Sequence, residues 1–158
     1  MRPRTVLLFI AAFILFGYFA GKTPAIIHHH SSKPVTSSQA IAYAKKQLGK
    51  PYLWGGAGPD SFDCSGLVQQ AYHWGAGLRT SQQQWAGLPH VDKPKPGDLV
   101  FFTGLLVGNE QPPGHVGIVV GPHKMIDAYA VGYGVEYDSF GEPGSKEGLV
   151  TIWGYASP

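Results

Sequence analysis

A single cysteine among 158 residues excludes an intramolecular disulfide framework and any multi-cysteine zinc or iron–sulfur site. Charge is also scarce. Asp, Glu, Lys and Arg make up 14% of the chain, against roughly 25% in a typical soluble domain. The formal net charge of +2 belongs to the front of the chain, because Arg2, Arg4, Lys22 and Lys33 all precede residue 38. From Ser38 onward eight Lys and Arg face ten Asp and Glu, a formal charge of −2. That stretch lacks the basic footprint of a DNA or RNA binder, so no nucleic-acid partner is expected. Hydrophobic residues at 44% and aromatics at 13% suffice to build a core, which excludes a wholly disordered chain.

Three segments follow from composition. Residues 1–21 carry Arg2 and Arg4 ahead of an uncharged run of fifteen residues, Val6–Ala20. This is the pattern of a signal peptide or an N-terminal membrane anchor, the latter attached through residues 6–21. Export is expected in both cases, with the domain secreted, in the envelope, or held outside the cytoplasmic membrane. Residues 22–37, with two prolines and His28–His30, read as a linker. Adjacent histidines in a flexible segment lack a fixed fourth ligand, so no metal is expected. Residues 38–158 read as one domain.

Within that domain Thr36-Ser37-Ser38-Gln39 fits a capping box, followed by Ile41, Ala44 and Leu48 at helical spacing. Gly49 and Pro51 stop this helix. A glycine-rich loop leads to a second helix from near Ser61 or Asp63, with Leu67, Val68, Ala71, Tyr72 and Trp74 on its apolar face and Gly75 at its end. Ser81–Gly87 suggests one further helical turn. Four strand-like runs then follow, at 98–103, 115–120, 124–129 and 149–155, separated by Gly and Pro. Helices first and consecutive strands later indicate an α+β fold with an antiparallel sheet.

Cys64 falls at the predicted start of the second helix. There the unpaired N–H groups and the positive dipole end stabilise an anion, which favours a thiolate. The same N–H groups can donate to an oxyanion. The alternative is a cysteine packed as a small hydrophobe. His115 opens a strand, and the turn Gly121-Pro122-His123 folds the chain into a hairpin. Asp127 then lies within about two residues of the position opposite His115. The even separation of twelve puts both side chains on one face if no bulge intervenes. A carboxylate there can hold the imidazole in the tautomer that leaves its other nitrogen for a thiol. Taken singly, His115 is equally a strand-end histidine and Asp127 a surface acid near a turn.

Five segments in order resemble the NlpC/P60 family of cell-wall peptidases: Gly49-Lys50-Pro51-Tyr52-Leu53-Trp54-Gly55-Gly56, Asp63-Cys64-Ser65-Gly66-Leu67-Val68, Arg79-Thr80-Ser81, Pro96-Gly97-Asp98-Leu99-Val100-Phe101-Phe102 and His115-Val116-Gly117-Ile118. The resemblance implies a papain-like α+β fold in which the cysteine helix packs on a small antiparallel sheet. It implies hydrolysis of peptidoglycan stem peptides, most often between D-glutamate and the diamino acid, with no cofactor. It makes Cys64 the nucleophile and His115 the base. Tyr52 matches a tyrosine beside the thiol that serves substrate or oxyanion, and Asp63 and Ser65 match residues that in some members receive the free amino end of the stem peptide. Asp127 departs from the pattern, since the third position is commonly histidine. Arg79 matches a recurring basic position of open role.

The residues alone give blander readings beside these. Tyr52 and Trp54 fit core aromatics, and Asp63 fits a helix cap. Trp74, Trp85 and Trp153 are expected to pack, and His73, His90 and His123 to lie at the surface. An exported, monomeric cysteine peptidase is the reading that uses the most residues. Its rivals are a papain-like thiol amidase or acyltransferase on another substrate, and a catalytically silent wall-binding module.

Overall fold

The computed structural model describes residues 33–104, 111–141 and 150–158. The expected leader, the His28–His30 tract and Leu149 lie outside the described residues. Among the described residues three helices come first, α1 (Ser37–Lys46), α2 (Cys64–Ala71) and α3 (Ser81–Gly87), with a 3-10 turn at Ala76–Leu78. Six strands follow, β1 (His90–Val91), β2 (Leu99–Gly104), β3 (His115–Gly121), β4 (Lys124–Ala128), β5 (Val135–Ser139) and β6 (Val150–Ala156). Among the described residues no helix is long and apolar enough to cross a membrane.

The capping box forms as expected. The Thr36 hydroxyl accepts from the Gln39 N–H, and the Gln39 side chain accepts from the Thr36 N–H. α1 buries Ala40 and Ala44, but the chain leaves the helix at Gln47. Leu48 therefore falls outside the apolar stripe and is 37% exposed. α2 is likewise shorter than its hydrophobic pattern suggested. It ends at Ala71, and His73 adopts a left-handed conformation with φ 53° that turns the chain away. Trp74 sits beyond the helix and stacks on Tyr72, with ring centroids 5.0 Å apart.

The six strands form one antiparallel sheet in the order β1-β6-β2-β3-β4-β5. Leu67, Val68 and Ala71 of α2 bury against Val116, Ile118 and Ile126 of the sheet. Each of the larger side chains contributes about 1.5–3 kcal/mol. A second apolar cluster joins Val100, Phe102, Val119, Met125 and Phe140, with Ile152 and Tyr155 packed against it. The sequence pattern did not reveal β1 and β5. β1 is two residues long, and β5 (Val-Glu-Tyr-Asp-Ser) offers one buried apolar residue in an otherwise half-exposed run. Trp153 is 44% exposed rather than packed, whereas Trp85 lies over Gly154 and stacks on His90 at 3.7 Å.

Candidate active site

Asp63 organises the entry to α2. Its Oδ1 accepts from the Gly66 N–H at 2.6 Å and from the Ser65 hydroxyl at 3.3 Å, and its Oδ2 accepts from the Gly55 N–H at 2.9 Å. Arg79 adds a bidentate pair, Nη1 to Oδ1 at 2.9 Å and Nη2 to Oδ2 at 2.6 Å. The same guanidinium donates to the Ser65 hydroxyl at 3.1 Å and to the Gly56 carbonyl at 3.4 Å. Hydrogen bonding to Asp63 raises the Arg79 pKa above its ordinary value. Burial acts the other way, and the charges of Asp63, Cys64 and Tyr52 add to the rise. Asp63 is thus a helix cap, as expected, and both of its oxygens already hold protein donors. Arg79, whose role the sequence left open, is the counter-charge of that cap.

Cys64 is the first residue of α2 and is 8% exposed. Within the cap the Gly66 N–H goes to the Asp63 side chain and the Leu67 N–H to the Asp63 carbonyl. The Cys64 N–H has no carbonyl one turn back in its own helix, as for any first helical residue.

The hairpin brings the other two residues together. Ile118 pairs with Ile126 and Val119 with Met125, and the register shift lies between Val119 and Gly121, out at the turn. By that register Gly117 stands opposite Asp127, and His115 reaches it diagonally on the same face. A Cβ at Gly117 would meet Met125 Sδ at 2.6 Å and Asp127 Cβ at 3.4 Å, so glycine keeps this face open. The result is a bond of 2.6 Å between His115 Nε2 and Asp127 Oδ2, with the residues 5% and 0% exposed. Nε2 being committed to the carboxylate, Nδ1 is the nitrogen left for the sulfur. Burial alone would lower the His115 pKa. The charge of Cys64 opposes it most strongly, and with the hydrogen bonds to Asp127 and Cys64 and the charge of Asp127 it carries the pKa up to about 10. The Tyr129 ring meets His115 edge-on at 6.0 Å and Phe102 lies tilted at 5.8 Å, so apolar rings flank the pair.

A groove of about 300 Å³ opens beside the sulfur. Its walls include Tyr52, Trp54, Asp63, Cys64, Ser65 and Arg79, together with Thr80, Ser81, Gln82 and Gly114. Trp54 is 69% exposed and so is no core aromatic. Tyr52 is half-buried at the bridge to Phe62. Four of the six residues singled out from the sequence, Tyr52, Asp63, Cys64 and Ser65, line this groove, and His115 and Asp127 connect to it through the hydrogen bond of His115 to Cys64. Sequence reasoning missed the contribution of Thr80, Ser81 and Gln82 to the groove, since Arg79-Thr80-Ser81 stood out only through the resemblance and Ser81–Gly87 only as a helical turn.

One close approach makes the arrangement testable. A Cβ on Gly66 would lie 2.0 Å from the Gly56 carbonyl oxygen, backbone against backbone. Gly66→Ala is expected to cost more than about 3 kcal/mol, because neither the helix nor the glycine loop has a side chain to move aside. Thermal melting checks this, with a fall of roughly 10 °C or more expected.

The sequence profile of the NlpC/P60 family matches residues 49–154. The chain belongs to the NlpC/P60 family. It is 43% identical over 117 residues to "Probable endopeptidase p60" of Listeria innocua, covering 70% of this chain and 23% of that protein. It is 39% identical over 107 residues to "Bifunctional muramidase/DL-endopeptidase CwlT" of Bacillus subtilis, covering 61% of this chain and 32% of that protein. The match thus spans about a quarter to a third of these curated relatives. Among solved structures, NlpC1 of Trichomonas vaginalis superposes with a TM-score of 0.64 at 29% identity, over 77% of this chain and 43% of that one. The helices on an antiparallel sheet are the papain-like α+β fold of NlpC/P60 proteins.

Proposed function

We propose that this NlpC/P60 chain is an exported cysteine endopeptidase that hydrolyses peptidoglycan stem peptides at the D-glutamyl–diamino acid bond. The observation that carries this reading is the pairing of Cys64, at a helix start, with an imidazole whose second nitrogen is held by buried Asp127. The name of a Bacillus subtilis relative, "Probable peptidoglycan endopeptidase LytE", supports the substrate, and the DL-endopeptidase in the name of CwlT supports a bond between centres of opposite hand.

In the proposed reaction the Cys64 thiolate adds to the scissile carbonyl carbon. The Cys64 N–H, aided by Tyr52, holds the oxyanion. His115 gives its Nδ1 proton to the departing amine as the C–N bond breaks, leaving a thioester on Cys64. Acylation removes the sulfur's negative charge, which is what most strongly raises the proton affinity of His115. The imidazole, neutral after giving its proton to the amine and kept neutral by that lowered proton affinity, is then the base for the next step. Water attacks the thioester, gives its proton to Nδ1, and the thiolate leaves with the ion pair restored. Tyr52 and Ser65 line the substrate groove, and Asp63 serves it by fixing Ser65, Gly55 and Arg79 in place. No cofactor enters.

Residues 1–21 act in this reading as a signal peptide or anchor, 22–37 as a linker and 38–158 as the catalytic domain. Fractionation of cells expressing the full chain should find that domain beyond the cytoplasmic membrane. A product held in the cytoplasm with an intact N-terminus counts against export. The activity itself is tested by digesting defined muropeptides with the purified chain and weighing the products. Fragments separated at the Glu–diamino acid bond are expected. Cleavage elsewhere overturns the bond assignment, and binding without cleavage makes the chain a silent wall-binding module.

A further inference from the structure

α3 is an unusual helix for a core position, because the two residues it buries are both polar. Ser81 is 4% and Gln84 0% exposed. The Ser81 hydroxyl donates to the Pro113 carbonyl at 2.7 Å, a buried bond across 32 residues of sequence. Pro113 stands two residues before His115. The Gln84 side-chain amide donates to the Ser65 carbonyl at 2.9 Å and to the Leu78 carbonyl at 3.0 Å. Ser65 follows Cys64 directly, and Leu78 precedes Arg79. One short helix therefore bonds to the backbone beside the nucleophile, to the backbone beside the base, and to the backbone beside the cap's counter-charge. Gln82 adds a fourth tie, to the Gln111 carbonyl at 2.7 Å.

We propose that Ser81 and Gln84 are positioning residues, a polar clamp through which α3 sets the separation and alignment of Cys64 and His115. Cys64 is carried by a helix and His115 by a strand 51 positions later. The packing of Leu67, Val68 and Ala71 fixes how α2 lies on the sheet, but apolar contacts are non-directional and tolerate small slides. Hydrogen bonds with fixed lengths and angles do not, and sub-ångström placement of a nucleophile against its base governs rate. The bonds go to carbonyls rather than to side chains, so the clamp fixes the backbone from which Cys64 and His115 project. A leucine or methionine at position 84 would fill the same space without holding anything.

The proposal rests on Cys64 and His115 being the reacting pair, and its test uses variants that separate bonding from volume. Gln84→Met keeps the bulk and loses the donor. Ser81→Val loses the hydroxyl that Ser81→Thr retains. Two measurements are made on the purified full chain: kcat and KM on muropeptides, and the NMR titration midpoint of the His115 ring without substrate. Gln84→Met and Ser81→Val should each lower kcat at least tenfold with KM changed less than threefold. The His115 midpoint should fall by about one pH unit or more as the sulfur's charge and hydrogen bond move off. Ser81→Thr should restore both readouts. The clamp is overturned if Gln84→Met and Ser81→Val lower only the melting temperature, leaving kcat and the His115 midpoint at wild-type values. It is equally overturned if Ser81→Thr fares no better than Ser81→Val. Failure of the underlying reading looks different, because then either the wild-type chain shows no turnover of muropeptides or Cys64→Ala remains active.

Discussion

Cys64→Ala is expected to lower muropeptide hydrolysis by at least about three orders of magnitude, since losing the nucleophile removes the covalent route altogether. The fold should survive. Alanine keeps the Cβ of a residue that is 8% exposed, so the loss is one buried sulfur, worth about 1–2 kcal/mol. A second readout distinguishes a reacting thiol from a packed one. The Cys64 charge is the strongest influence holding the His115 pKa up to about 10 against burial. In Cys64→Ala that influence is gone, so the imidazole should titrate at lower pH. In the wild-type protein iodoacetamide should alkylate Cys64 rapidly near pH 7, because Cys64 lines the open groove beside the buried His115 imidazole. Slow alkylation together with hydrolysis that persists in Cys64→Ala would remove the peptidase reading.

The parts of the site that could be read from sequence are those built from local rules. A helix start announces itself through Thr36 and Gln39 or through Asp63, because capping needs particular side chains three residues apart. The His115–Asp127 bond was legible because a tight hairpin converts a separation of twelve into a diagonal contact. The register shift that could have spoiled it falls at the turn, beyond both residues. What escaped are contacts set only by tertiary packing. Arg79 meets Asp63 across 16 residues and Ser81 meets Pro113 across 32. No periodicity in Ser81-Gln82-Gln83-Gln84 betrays which amide is buried. The ends of α1 and α2 escaped for another reason. Leu48 and Trp74 sustain the apolar pattern past the point where Gln47 and the left-handed His73 have already ended the helix.

In the proposed reaction Asp127 stands where the resemblance led us to expect histidine, and substitutions there separate two tasks that a third catalytic group can perform. One is orientation, accepting the Nε2–H so that Nδ1 faces the sulfur. The other is charge, raising the proton affinity of the imidazole. Asp127→Ala removes both, and kcat should fall on the order of 10²–10⁴-fold, the range of positioned acid–base chemistry. Asp127→His restores an acceptor, since a neutral imidazole can take that bond, and should retain more activity than Asp127→Ala. It cannot restore the negative charge. The pH profile shows the difference, and its sign follows from the mechanism. His115 must carry a proton to release the amine, so kcat/KM should fall as pH rises through the His115 pKa, about 10 in the wild-type protein. Asp127 raises that pKa by its hydrogen bond and its charge, so its loss moves the alkaline limb to lower pH. Asp127→His should therefore recover much of kcat while its alkaline limb stays below that of the wild type. Asp127 is fully buried and histidine is larger, so both variants must first be shown by melting to be folded at the assay temperature. Wild-type turnover in folded Asp127→Ala, with the alkaline limb unmoved, would leave the enzyme a Cys64–His115 dyad and make the 2.6 Å bond a feature of the core alone.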